Sequence, residues 1–173
     1  LLGRRMVDWV LEAARPLRPE PLVVGASPDG AARFEGVAVV VQEKALGTGD
    51  AARTAREVLA GTDEVLVLSG DTPLLTTALL AELLEAHRHK DAAATVRSFV
   101  PADMRSYGRI VRDGDGDLEA IVEAADATPE QLALTEANSS IYVFRADVLW
   151  PALDRLTPAN AQGELYLTDA VRE

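Results

Sequence analysis

The chain has 173 residues, 48% of them hydrophobic, enough for one ordinary domain with a packed core. Its 17 Lys and Arg stand against 28 Asp and Glu, and a net charge of -11 excludes broad attachment to nucleic acid or to an anionic membrane, whose phosphates need a basic surface. With no Cys there is no disulfide framework, thiolate zinc site or cysteine nucleophile, so any chemistry falls to carboxylates, hydroxyls, amides and backbone.

Met6, Val7, Val10, Leu11 and Ala14 recur at helical spacing until Pro16, and PLVVGAS (21–27) then reads as a short buried strand. VAVVVQ (37–42) is a second strand, DAARTAREVLAG (50–61) a helix ending at Gly61, and EVLVLSGD (64–71) a third strand. These runs are continuously apolar, as strands covered on both faces of a parallel sheet are. A helix over 76–91 and a strand over 92–100 follow. YGRIVRDGDGDLEAIVEAADAT (107–128) changes the grammar to two alternating segments around DGDGD, an antiparallel hairpin insertion. SSIYVFR (139–145) returns to a strand, ADVLWPALDRL makes a helix despite Pro151, and ELYLTDAVRE begins another. The expected fold is α/β: a doubly wound, mostly parallel sheet, Rossmann-like, with a small antiparallel hairpin. No run approaches the length that spans a bilayer and the charged start is unlike a signal peptide, so a cytoplasmic location is expected. That start, in mid-pattern without an initiating Met, reads as the start of a fragment.

In open α/β sheets ligands gather at the carboxyl ends of strands, which directs attention to the loops after 42, 71, 100 and 145. In QEKALGTGD the glycines let a ring or anion approach the main chain closely, and Gln42 with backbone groups of Gly47 and Thr48 could read a base. The same loop also reads as a plain turn with Asp50 capping the helix. Asp71, after a glycine and before Thr72-Pro73, suits a Mg²⁺ carried by a nucleotide's phosphates, or else caps the turn. DGDGD lacks the spacing and final Glu of a calcium loop and reads as a hairpin turn. His87 and His89, beside Arg88 and Lys90, read as a solvated face at a helix C-terminus. Glu123 and Asn138 are polar where cavity walls are expected. Gly47 to Ala52 fits G-x-G-x-x-A with Asp71 ending the next strand, which would make an NAD-dependent oxidoreductase. Against that, Glu43 to Leu46 separate the strand from the first glycine, and residues 107 to 169 stay unexplained. A non-catalytic nucleotide-binding module is a third reading.

Six motifs, Q-x-x-x-L-G-T-G (42–49), S-G-D-T-P-L (69–74), Y-G-R-I-V-R (107–112), I-V-E-x-x-D-A-T (121–128), E-A-N-S (136–139) and N-A-Q-G-E-L-Y-L-T-D (160–169), occur in one order. Together they resemble the uridylyltransferase domain of the bacterial GlmU family. The resemblance implies a UDP-N-acetylglucosamine diphosphorylase with a nucleotide-diphospho-sugar transferase fold, making UDP-N-acetylglucosamine and pyrophosphate from UTP and N-acetylglucosamine 1-phosphate for cell-wall precursor synthesis. It implies Gln42, Gly47 and Thr48 at the uracil and Asp71 as catalytic Mg²⁺ ligand. It implies Gly108, Glu123, Asn138, Tyr166 and Thr168 at the acetamido sugar. It further implies that the chain is part of a nucleotidyltransferase domain. A Gly-rich triphosphate loop and first strand would precede Leu1. A second Mg²⁺ ligand and a trimerising acetyltransferase β-helix domain would follow Glu173. The full-length protein is then expected to be a bifunctional homotrimer, and this piece a monomer inactive alone. Two residues depart from the family pattern: Asp50 stands where His often follows LGTG, and Ser140 where Gly is common, which is expected to narrow the sugar pocket.

Overall fold

A computed structural model describes residues 2–31, 34 and 36–172. Helix α1 (Met6–Ala14) turns Val10, Ala13 and Ala14 inward, and Pro16 tightens its end into a 3-10 turn over Arg15–Leu17. Strands β1 (Val23–Ala26) and β2 (Ala38–Val41) pair in parallel, Val23 opposite Ala38 and Ala26 opposite Val41. A short helix, α2 (Pro28–Ala31), lies between them in sequence. Helix α3 covers Thr48–Thr54; it begins two residues before the expected start and stops well short of Gly61, because the hydrogen bonds tighten to i−3 at Ala55 and Arg56.

The second sheet holds β3 (Glu64–Leu68), β4 (Ala94–Phe99), β5 (Arg109–Arg112), β6 (Leu118–Val122) and β7 (Ala137–Arg145). Its order is β3-β7-β5-β6, with β4 also on β7. β3, β4 and β5 all run antiparallel to β7, as does β5 to β6, so every pairing in this sheet is antiparallel and the only parallel pairing among the described residues is β1 with β2. The reason lies in what a continuous apolar run encodes. Such a run shows that both faces are covered and says nothing of direction. On β7, Tyr142 and Phe144 pack with Leu149, Leu153 and Leu167, while Ile141 and Val143 pack with Leu80, Leu83 and Ala13. Each such buried side chain contributes about 1.5–3 kcal/mol, so β7, covered on both faces, is the spine of the core.

Helix α4 (Thr77–Lys90) starts where the Thr76 hydroxyl accepts a hydrogen bond from the Leu79 amide. It ends at Asp91 in the left-handed region, φ 47°. His87 is buried at 2% exposure, with Nδ1 2.8 Å from the Thr95 hydroxyl, so the solvated face expected there belongs to its neighbours alone. Burial holds the His87 imidazole below its ordinary pKa. The DGDGD segment is the expected hairpin turn: Asp113 accepts from the Asp115 and Asp117 amides, and Gly116 takes φ 87°. Helix α5 (Pro129–Leu132) was not legible in the sequence, although Thr128 and Gln131 form a capping box around it. Helix α6 (Ala146–Arg155) carries Pro151, and Leu167–Val171 form a 3-10 turn. Glu173, the last residue of the helix expected from Glu164, lies outside the described residues. No described helix is long and apolar enough to cross a membrane.

Candidate functional site

The LGTG loop hangs from the end of β2. Gln42 Nε2 donates to the Gly47 carbonyl at 3.1 Å and to Asp50 Oδ2 at 2.9 Å, which folds the loop back on its strand. Asp50 is 8% exposed and also pairs with Arg53 at 2.6 Å. Burial pushes the Asp50 carboxyl up, but the hydrogen bonds from Gln42 and Arg53 and the Arg53 charge outweigh it, leaving the group below its ordinary value. The capping role expected for Asp50 is not what the structure shows, since the helix N-cap is Gly47 and has no side-chain bond.

The glycines here make room for the chain itself. At Gly47, φ is 112°, and an added Cβ would lie 2.5 Å from the Leu165 carbonyl oxygen and 2.7 Å from its nitrogen. Leu165 donates to the Leu46 carbonyl at 2.7 Å and accepts from the Gly49 amide at 2.8 Å. The Thr48 hydroxyl accepts from the Leu167 amide at 3.0 Å. The late N-A-Q-G-E-L-Y-L-T-D segment is therefore clasped onto the loop. Asn160 shapes that segment by donating to the Glu164 carbonyl and accepting from its amide. A dinucleotide fingerprint needs its glycines open to a pyrophosphate, and here Leu165 covers them.

One residue past the clasp, the Thr168 hydroxyl donates to Glu123 Oε1 at 3.0 Å. Burial raises the Glu123 pKa, with Asp169 and Asp126 adding to the rise against the Thr168 bond. Gly108 brings its backbone against the same carboxylate: an added Cβ would lie 3.4 Å from Glu123 Oε2 and 3.5 Å from the Asn138 Cβ. Asn138 is buried; its side chain donates to the Tyr142 hydroxyl at 2.7 Å and accepts from the Ser140 amide at 3.0 Å. Burial, partly offset by Asn138, lifts the Tyr142 hydroxyl to about 12. Tyr166 is buried with its hydroxyl unpartnered among the described residues, and burial beside Asp126 and Glu123 raises its pKa. Thus Gly108, Glu123, Asn138 and Thr168 stand together with Tyr166 beside them, built from β5, β6, β7 and the final 3-10 turn.

A bulge places Asn138. Between the pairs Val96 with Tyr142 and Ser98 with Asn138, Arg97 alone faces Ser139, Ser140 and Ile141. Ser140 takes φ 60°, a conformation that favours glycine, and this is the physical sense of the glycine common in the resembled family.

Asp71 is exposed beyond the end of β3, and its carboxylate accepts from the Ser69 hydroxyl at 2.6 Å. No group of three metal-ligating side chains occurs among the described residues. One carboxylate fits a Mg²⁺ held chiefly by a nucleotide's phosphates and does not fit an all-protein cage. A cavity of about 930 Å³ opens between the two sheets, touched by Gly25 of β1, Leu66 and Leu68 of β3, Thr48, Glu123 and Thr168. It joins the Thr48 side of the molecule to the Glu123 side.

Sequence reasoning gave Asp50 only a capping role and gave Asp126 none. The latter accepts from the Ala161 amide at 2.7 Å and ties the late segment to the hairpin. Asp50 followed an unusual loop directly, and that was its only signal; Asp126 had none beyond its motif.

The chain matches the model of the MobA-like NTP transferase domain over residues 1–168. It is 46% identical to a bifunctional protein GlmU of Nocardia farcinica, across 99% of this chain and 38% of that protein. It is 41% identical to one of Mycolicibacterium vanbaalenii, across 99% and 37%. The chain thus spans well under half the length of these relatives. A crystal structure of UDP-glucose pyrophosphorylase complexed with UDP-glucose superposes with a TM-score of 0.72 over 96% of this chain and 73% of that one, at 17% identity. That likeness establishes the α/β nucleotide-diphospho-sugar transferase fold.

Proposed function

The chain belongs to the MobA-like NTP transferase domain family, and from that premise we propose that it forms much of the site at which UTP and N-acetylglucosamine 1-phosphate become UDP-N-acetylglucosamine and pyrophosphate. The observation that carries the reading is the clasp. Thr48 accepts from Leu167, and the next residue, Thr168, donates to Glu123, so the two segments are joined and Thr48, Glu123 and Thr168 line one cavity.

A phosphate oxygen of the sugar phosphate forms a bond to the α-phosphorus of UTP in line with the bond that breaks, and the pyrophosphate leaves with that bond's electron pair. No side-chain nucleophile is needed, in keeping with a sequence that has no Cys. The chain's own work is positioning. Gln42 and the Gly47–Thr48 backbone hold the uracil, Glu123 and Asn138 hold sugar hydroxyl and amide groups, and Gly108 lets the sugar approach the main chain. Asp71 would hold a Mg²⁺, which would supply neutralisation of charge on the transferring phosphoryl group.

The test is pyrophosphate release by the full-length protein from UTP with N-acetylglucosamine 1-phosphate, glucose 1-phosphate or no acceptor, with and without Mg²⁺. Release that needs Mg²⁺ and favours the N-acetylated sugar is expected. A preference for glucose 1-phosphate would overturn the substrate assignment, and binding of NAD in preference to UTP would overturn the reaction class.

A further inference from the structure

The amide of Gln42 has one allowed orientation, and its neighbours dictate it. Nε2 donates to the Gly47 carbonyl and to Asp50 Oδ2. The carbonyl oxygen bears no hydrogen, and the Asp50 carboxylate stays ionised beside Arg53. Turned over, the amide would set Oε1 against two oxygens, exchanging two hydrogen bonds for two lone-pair contacts. Oε1 therefore faces away from both, and it accepts no hydrogen bond from the described residues.

We propose that Asp50 is a positioning residue that sets nucleotide specificity: by locking the Gln42 amide it presents an acceptor, never a donor, to the edge of the incoming base, and so selects uracil over cytosine. The proposal rests on the uridylyl reading above. Uracil carries a hydrogen on N3, flanked by two carbonyls that backbone N–H groups of the Gly47–Thr48 turn can meet. Cytosine has a bare lone pair at N3 and an amino group at C4. An outward Oε1 pairs with the first and repels the second. A buried mismatch of this kind costs on the order of tenfold to a hundredfold in affinity.

The experiment measures kcat/KM and equilibrium binding of UTP and CTP on the full-length protein, wild type and D50N, with melting temperatures taken alongside. Asn at position 50 keeps the size but can donate to a turned-over Oε1, leaving only the Gly47 carbonyl to oppose the turn, so Gln42 shows its amino group to the base in a larger share of molecules. The expected result is a wild-type preference for UTP, a UTP to CTP ratio that falls about tenfold or more in D50N, an unchanged KM for the sugar phosphate, and a ratio held nearer wild type by D50E. A ratio that stays fixed while both nucleotides weaken equally would make Asp50 a purely structural residue and overturn the proposal. Should D50N not fold, 3-methyl-UTP on the wild type replaces it. Loss of about tenfold or more in binding supports an outward acceptor at N3, and binding equal to UTP refutes it. Binding ratios judge Asp50 even where turnover fails, so selective UTP binding without sugar-phosphate turnover would sink the reaction assignment and leave this one standing.

Discussion

Strands β2 and β7 begin from similar sequence, VAVVVQ and SSIYVFR, and end in different surroundings. Every residue of β2 is half-buried, whereas Ile141 to Phe144 of β7 are buried on both faces. The difference lies in neighbours, since β2 pairs only with β1, while β7 has β3 and β4 along its length and touches β5 at Ala137. Apolar content fixes what a strand can bury; the number of paired edges decides what it does bury. The loop proposed to read the base thus hangs from the thin sheet, and the cluster proposed to hold the sugar sits on the thick one. Backbone bonds from Leu165 and the Thr48–Leu167 bond hold them in register.

The most damaging way to part the two regions is Gly47→Ala. Its φ of 112° and the 2.5 Å approach to the Leu165 carbonyl leave no flexible side chain to give way, so the change should cost about 2–4 kcal/mol. Denaturant unfolding and UTP binding check this, and a variant with wild-type stability would mean that the Leu165 segment can step aside freely.

Thr48→Val is gentler and more selective. It strands the Leu167 amide at about 1–3 kcal/mol, while the backbone proposed to face the base is kept. KM for the sugar phosphate should rise more than KM for UTP, and Thr48→Ser should restore both. A larger rise for UTP would move the Thr48 hydroxyl to the base instead.

The smallest effect sharpens the comparison on the thick side. Ser140→Gly relieves the left-handed φ of 60° in the β7 bulge but gives up the hydroxyl beside Tyr142, for a net gain below about 1 kcal/mol. A melting temperature raised by about 1–3 °C is expected. A fall would show that the Ser140 hydroxyl, not the backbone, holds the bulge.

The same contrast explains how far the sequence could be read. Helices α1, α4 and α6, the hairpin turn and every strand were legible, because periodicity and Gly, Pro and Asp punctuation encode them locally. Strand direction was not, for β7 reads the same either way. The residues near 42–48, 108 and 123 were singled out from motifs, whereas their spatial association depends on a bulge and a clasp between segments more than a hundred residues apart. His87 lies seven positions beyond Leu80 on the buried face of α4, yet its charged neighbours masked that spacing. Asp50 looked like a cap because its real partner, Gln42, lies eight residues back across the loop.

The central claim, that one region handles the nucleotide and the other the sugar, is tested most directly by a crossed pair of KM measurements in the full-length protein. Gln42→Ala should raise KM for UTP about tenfold or more with little change for N-acetylglucosamine 1-phosphate, and Glu123→Ala should do the reverse. Equal effects on both substrates in both variants, or the opposite crossing, would contradict the division of labour assigned to the two sheets.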